Sequence, residues 1–319
     1  MYHKTHFLFY VQLYLTYLYI AVKIYYITEG FMKRIISFLI IFLISFSILP
    51  IQAGELMEDS GLLLLVNKSH PVDKSHKPAD LVSLGHEEYR MRSEAGEMML
   101  TMLDACKAET GKRPVLVSGY RSYNRQNSTF NIRMNKKLSQ GYSYEDAYRE
   151  VSYYSAPPGT SEHQTGLAMD VSMDGTLTSA FAQTEQGKWL AANSWRFGYI
   201  LRYTEEKSDY TMIGPEGWHF RYVGTPHAQI MYENNWCLEE YMNALTKSPI
   251  YKATQDGALY KIARAASMPL KDDSIISASS DNTGGYIVTS KIQPFSFDWL
   301  TKNLIPKFKQ MLIAGVTIG

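Results

Sequence analysis

Cysteine is nearly absent, since 319 residues carry two, Cys106 and Cys237. That pair cannot build a disulfide framework or a cysteine metal cluster. Each falls where an amphipathic helix is expected, so both read as separately buried thiols, with a single bridge as the alternative. An excess of charge of one sign is also lacking. Lys and Arg number 32 against 31 Asp and Glu, a formal charge of +1, which leaves no strong field to attract nucleic acid or another polyanion. No internal repeat, low-complexity tract or Gly-rich phosphate loop occurs. Strands and helices mix without strict alternation, which favours an antiparallel α+β domain over a doubly wound one.

The first fifty residues are poor in acid and rich in apolar side chains, and they stand apart from the fold. Met32, Lys33 and Arg34 precede an apolar run from Ile35 to Ile51, followed by the small residues Ala53 and Gly54. That order describes a secretory signal peptide over 32–53, cut after Ala53, and an exported protein. The stretch before it is Tyr-rich and contains Lys4 and Lys23, a poor membrane span. Residues 1–31 read as an extension upstream of the true start, with an uncleaved anchor or a long leader as alternatives.

Within the expected catalytic domain, 54–245, Leu62–Val66 reads as a short buried strand and 67–79 as an extended arm. A helix is expected from about Arg92 to Glu109, with Ala95, Met98, Met99, Met102, Leu103 and Cys106 on one stripe and Gly111 as its stop. Strands are expected at Pro114–Ser118, Leu167–Val171, Tyr199–Tyr203 and His219–Val223. Two polar helices fit between Asn124 and Tyr154, another at Glu185–Phe197, and a last one from Pro226 to about Leu245.

Chemistry concentrates at two histidines. His163 lies in Ser161-Glu162-His163-Gln164-Thr165-Gly166 with Asp170 seven positions on, and His219 lies in Glu216-Gly217-Trp218-His219. If the chain doubles back at Gly166, His163, Asp170 and His219 supply two nitrogens and one oxygen to a metal. One tetrahedral position then stays open, the arrangement of a catalytic zinc. Glu216, three residues before a ligand, can serve as the base for water there, although a lone Glu near a His is more often a solvated acid. Arg121, displayed after Gly119, can clamp a terminal carboxylate or stabilise an oxyanion. A loop Arg is otherwise a common surface ion-pair partner. His70 and His76 read as exposed, His86 and His227 as capping or packing residues.

The strings SGYRS, GTSEHQTGLAMDV and EGWHFRYVG, in this order, resemble the VanY-type D-alanyl-D-alanine carboxypeptidases and the related LD-carboxypeptidases, zinc peptidases that share a fold with the hedgehog signalling domain. The resemblance spans about Leu63 to Leu245. It implies a central antiparallel sheet flanked by helices, His163, Asp170 and His219 as zinc ligands, Glu216 as catalytic base, and Arg121 as the substrate-binding and transition-state arginine. Gln126 and Ser161 match polar positions that hold the terminal residue, and Trp218 reads as a pocket wall. Gly217 departs from the Pro found in many relatives, which makes a turn there less rigid.

The implied activity is removal of a terminal D-alanine from peptidoglycan stem peptides by a monomer with Zn2+. An LD-carboxypeptidase acting on tetrapeptide stems is the runner-up and a cross-link endopeptidase a weaker third. A wall-binding module that uses its metal only structurally is the rival of another class. Residues 246–319 form a C-terminal extension outside the resemblance. Ser277–Gly285 reads as a linker, and 295–312 as a basic amphipathic helix that lies on an anionic membrane surface or packs on the catalytic domain.

Overall fold

In the computed structural model of the chain, residues 15–20, 23, 55–254 and 257–292 are described. The chain divides into two units, Met1–Glu55 and Leu56–Gly319. Residues 15–20 and 23 of the first are helical. The expected signal peptide over 32–53 and the amphipathic segment 295–312 lie outside the described residues. Among the described residues, no helix is long and apolar enough to cross a membrane.

In the second unit, β1 (Leu81–Ser83) and β2 (Arg90–Arg92) pair antiparallel and feed α1 (Ser93–Thr110). The predicted apolar stripe of α1 is buried at Ala95, Met99, Met102, Leu103 and Cys106, with Met98 partly covered. Next come β3 (Val115–Ser118), α2 (Tyr123–Ser139) and α3 (Tyr144–Tyr154). Both helices start on serine caps, Ser122 and Ser143, whose hydroxyls accept the N–H of Arg125 and Asp146. Then follow β4 (Ala168–Ser172), α4 (Glu185–Asn193), β5 (Tyr199–Tyr203), the single-turn α5 (Ser208–Thr211) and β6 (Glu216–Tyr222).

Strands β3, β4, β6 and β5 lie in that order as one antiparallel sheet, so the α+β expectation is borne out. Successive side chains of a strand point to opposite faces. Met169, Val171, Tyr199, Phe220 and Tyr222 join the stripe of α1 in one apolar cluster. Their neighbours Asp170, Arg202, His219 and Arg221 fall on the opposite face.

Three sequence expectations change. Leu62–Val66 is buried at Leu63, Leu65 and Val66 but forms no strand. Its backbone turns to side chains instead of a ladder: the carbonyls of Leu62 and Leu64 accept from Arg221, and the Leu63 N–H donates to the Ser279 hydroxyl. The single helix after Pro226 is two, α6 (His227–Asn234) and α7 (Leu238–Lys247), because Asn235 takes a left-handed φ of 50° and ends the first. Glu240 then accepts the Cys237 N–H to start the second. Finally, Ser277–Gly285 is not a linker. It runs along a second antiparallel sheet of β7 (Ile250–Ala253), β8 (Leu259–Ala265), β9 (Ile275–Ser280) and β10 (Tyr286–Ile292), ordered β7-β8-β10-β9.

The second sheet shares its core with the chain before Leu245. Ile262 and Ile287, fully buried, join Leu63, Leu65, Ile200, Val223, Leu238, Tyr241 and Leu245 in one cluster. Cys106 and Cys237 are both buried and free. Ile262→Ala is therefore expected to lower stability by about 2–5 kcal/mol and to move the whole unfolding curve. Denaturant unfolding followed at Trp fluorescence checks this; an unchanged main transition with a separate early one contradicts a shared core.

Candidate active site

Register brings the first two donors together. In the β4–β6 ladder Asp170 stands opposite His219, which puts their side chains on one face within reach. His163 comes from the 3-10 turn Glu162–Thr165 just before β4. That turn ends on Gly166, whose φ of 67° is the left-handed conformation glycine allows, and an added Cβ would meet Leu81 Cδ2 at 2.7 Å. The chain so reversed sets His163 Nε2 3.3 Å from Asp170 Oδ2, while His219 Nδ1 lies 3.0 Å from Asp170 Oδ1.

One donor atom from each of the three buried residues lies within 4.8 Å of the others. Two imidazoles and a carboxylate are the three-ligand set of a catalytic zinc, and the donors fit it. Each ring also has a partner on its other side. His163 Nδ1–H donates to the Gly119 carbonyl at 2.8 Å, and His219 Nε2 faces Glu162 Oε2 at 3.4 Å. This leaves Nε2 of His163 and Nδ1 of His219 as the nitrogens free for a metal, the usual pattern of outer-shell orientation.

A cleft of about 230 Å3 opens over these atoms. All the other residues singled out from the sequence line it, Arg121, Gln126, Ser161, Glu216 and Trp218. Glu216 Oε2 lies 3.7 Å from His219 Nδ1, and burial pushes its carboxyl up to about 7. Burial works against a charge on His219, but hydrogen bonds to Asp170 and Glu162 prevail and push it up to about 9. His163 goes the other way, lowered by burial. Arg121 donates to Gln126 Oε1 at 2.7 Å and to Ser118 Oγ at 2.9 Å, and its Nη2 is 3.9 Å from Asp170 Oδ2. Its guanidinium is thus held at the edge of the donor set with N–H groups to spare.

Sequence reasoning passed over Glu162, Arg202 and Arg221. The Glu162 side chain is fully buried, and Arg202 Nε and Arg221 Nη1 contact its Oε1 at 2.8 and 2.9 Å. Burial opposes its charge, yet the two guanidiniums hold its carboxyl well below the usual range. The one signal in the sequence was its place beside His163. Among the remaining histidines, His86 caps the turn Glu87–Tyr89 and His227 packs against Tyr241 and Thr289. His70 and His76 are half-buried rather than exposed, because the arm folds back on itself at Asn67 and on Gln164.

Residues 88–225 match the family profile described as VanY, D-alanyl-D-alanine carboxypeptidase. A D-alanyl-D-alanine carboxypeptidase of Enterococcus faecalis (strain ATCC 700802 / V583) is 36% identical over 186 residues, which cover 58% of this chain and 67% of that protein. The chain belongs to the VanY family.

Solved structures agree with this membership. The vancomycin resistance D,D-pentapeptidase VanY from a VanB-type resistance cassette, a variant in complex with Zn(II), superposes with a TM-score of 0.51 at 36% identity, covering 57% of this chain and 99% of that one. The LdcB LD-carboxypeptidase gives 0.51 and 36% over 60% of this chain and 94% of its own. The family resemblance also raised Gly217, expected in a slackened turn. It lies instead inside β6, where a Cβ would come within 2.6 Å of Ala182 Cβ, so the close approach of the turn Ser179–Gln183 accounts for glycine there.

The raised protonation of Glu216 and His219 contributes to the pH response of the metal-free protein. Glu216 binds its proton more tightly folded, at about 7, than at the ordinary 4.5. The stability it adds is full below 4.5 and is lost as pH rises through 7. His219, at about 9 against 6.5, extends that loss upward. Burial disfavours the protons of His76, His163 and His227, which act in the opposite sense up to the ordinary 6.5, so the effect is read against a variant: the stability of chelator-treated wild type relative to Glu216→Gln should fall as pH rises through 7. A difference that stays constant from pH 5 to pH 9 contradicts the assignment.

Proposed function

We propose that the chain is a zinc-dependent carboxypeptidase that removes the terminal D-alanine from peptidoglycan stem peptides. The observation that carries this reading is Glu216: a carboxyl pushed up to about 7, in a cleft, beside a donor set that fits zinc. A module using metal only to hold its fold has no need of a base in that position.

His163, Asp170 and His219 would hold the zinc, which would supply Lewis acidity for an amide carbonyl and for water. Glu216 accepts the proton of the attacking water and returns it to the nitrogen of the departing D-alanine. Its place in the cleft beside His219 puts its carboxyl within reach of both. Arg121, beside Asp170, stabilises negative charge developing on the carbonyl oxygen. Arg133, exposed on the same cleft and hydrogen-bonded to the Tyr154 carbonyl, offers a second guanidinium for the substrate's terminal carboxylate. Gln126 holds Arg121 and is itself held by the Ala156 carbonyl. Ser161 and Trp218 shape the space for a small terminal residue.

Incubation with synthetic pentapeptide and tetrapeptide stems, with and without chelator, tests the reaction by mass analysis. D-alanine release from the pentapeptide that stops with chelator and returns with zinc is the expected result. Glu216→Ala should keep zinc while release falls by at least about 10²-fold, and Arg121→Ala should lower kcat about 10²–10³-fold. Full activity in either variant removes the role assigned to it. The equal likeness to LdcB favours one second reading, release from the tetrapeptide, which the same assay distinguishes.

Action on peptidoglycan places the work outside the cytoplasm. We further propose export by cleavage after Ala53, a monomeric enzyme, and contact of 295–312 with anionic lipid. The mature protein should begin near Gly54 on N-terminal sequencing, elute as a monomer, and float with anionic vesicles. A first residue before Met32, a stable dimer or no flotation removes the corresponding part.

A further inference from the structure

A zinc-ligating imidazole must present one bare nitrogen and keep the proton on the other, and a ring with no partner on its far side is free to flip. The two histidines of this site are held by different means. For His163 the partner is a neutral backbone carbonyl, that of Gly119 at 2.8 Å. For His219 it is the carboxylate of Glu162 at 3.4 Å. Glu162 is itself fixed from the other side, by Arg202 at 2.8 Å and Arg221 at 2.9 Å. Neither guanidinium is free to wander. Arg202 also meets both oxygens of Glu239, at 2.9 and 2.7 Å. Arg221 donates to the carbonyls of Leu62 and Leu64, both at 3.0 Å. Glu162 and both arginine side chains are fully buried.

We propose that Glu162 is the positioning residue of the metal centre: it keeps the proton of His219 on Nε2 and turns Nδ1 toward Asp170 and the metal, with Arg202 and Arg221 fixing Glu162 in turn. The inference rests on the reading of His163, Asp170 and His219 as zinc ligands. The Glu162 side chain is fully buried, and its contact with the donor set is made to His219. The two arginines buried beneath the cleft thus have their partner of opposite charge in Glu162.

The test reads zinc binding, not turnover. Zinc affinity of the apoprotein is measured by competition with a chromophoric chelator for the wild type, Glu162→Asp, Glu162→Gln and Glu239→Gln. Glu162→Asp keeps the charge that Arg202 and Arg221 require but is one methylene too short to reach His219. Both Glu162 variants should bind zinc about 10–100-fold more weakly. Glu239→Gln, which alters the same network without touching His219, should stay within about twofold of the wild type. Equal weakening in Glu239→Gln, or wild-type affinity in the folded Glu162 variants, overturns the proposal. Should the Glu162 variants not fold, 15N imidazole NMR of the zinc-loaded wild type decides: a protonated Nε2 with a coordinated Nδ1 on His219 supports it, and the opposite tautomer overturns it. Wild-type protein that binds no zinc would instead sink the metal reading itself, and D-alanine release is scored separately.

Discussion

The cleft depends on β4 and β6 pairing in the register that sets Asp170 against His219. A slip of one residue would send Asp170 into the apolar cluster under α1 and bring Met169 or Val171 to the cleft. The same alternation that makes the site therefore makes the core, because Met169, Val171, Phe220 and Tyr222 are buried on one face only if Asp170, His219 and Arg221 occupy the other. Apolar burial thus enforces the geometry of the donors. No separate device is needed to hold the strands in register, and a destabilising slip would cost the core and the site together.

On that polar face sits a load that most sheets avoid. Arg202 and Arg221 are among the largest fully buried side chains. Unpaired, either would be strongly destabilising, and even paired, a buried ion cluster gains little net stability. Here the charges balance, two guanidiniums against Glu162 and Glu239, so the cluster is tolerated. Its remaining donors reach the segment around Leu62–Leu64, whose side chains Leu63 and Leu65 enter the second core. That segment is in turn fastened to the second sheet through Ser279, Asp281 and Asn282. Packing beyond Leu245 is thereby continuous with the groups beneath the metal donors.

Much of this was legible in the sequence because it follows local rules. The stripe of α1, the strand at Tyr199–Tyr203 and the reversal at Gly166 each answer to periodicity or to a single residue's conformational preference. His163, Asp170, His219, Glu216 and Arg121 were also legible, since the three motifs carry unusual density of polar groups, whereas Gln126 and Ser161 came only with the family resemblance and Arg133 was passed over. What escaped was non-local. Glu162 looks like any loop acid until Arg202 and Arg221, forty and fifty-nine positions away, are brought to it by β5 and β6. Leu62–Val66 has the composition of a strand, and only the Arg221 donors on its carbonyls show why it makes no ladder. Ser277–Gly285 has the composition of a linker until the sheet that contains it finds a core through Ile262 and Ile287.

The two imidazoles, alike in the motifs, are physically unlike. His163 leans on a neutral carbonyl and stands near Arg121, so burial prevails and its proton is disfavoured. His219 stands between two carboxylates, Asp170 and Glu162, and its proton is favoured up to about 9. An oriented ring and a retained proton are consequences of the same contacts, because a carboxylate that fixes Nε2–H also stabilises the imidazolium. A metal bound there would have to displace a proton from His219 at neutral pH, whereas burial already disfavours the proton of His163. Orientation and proton competition cannot be separated at such a site.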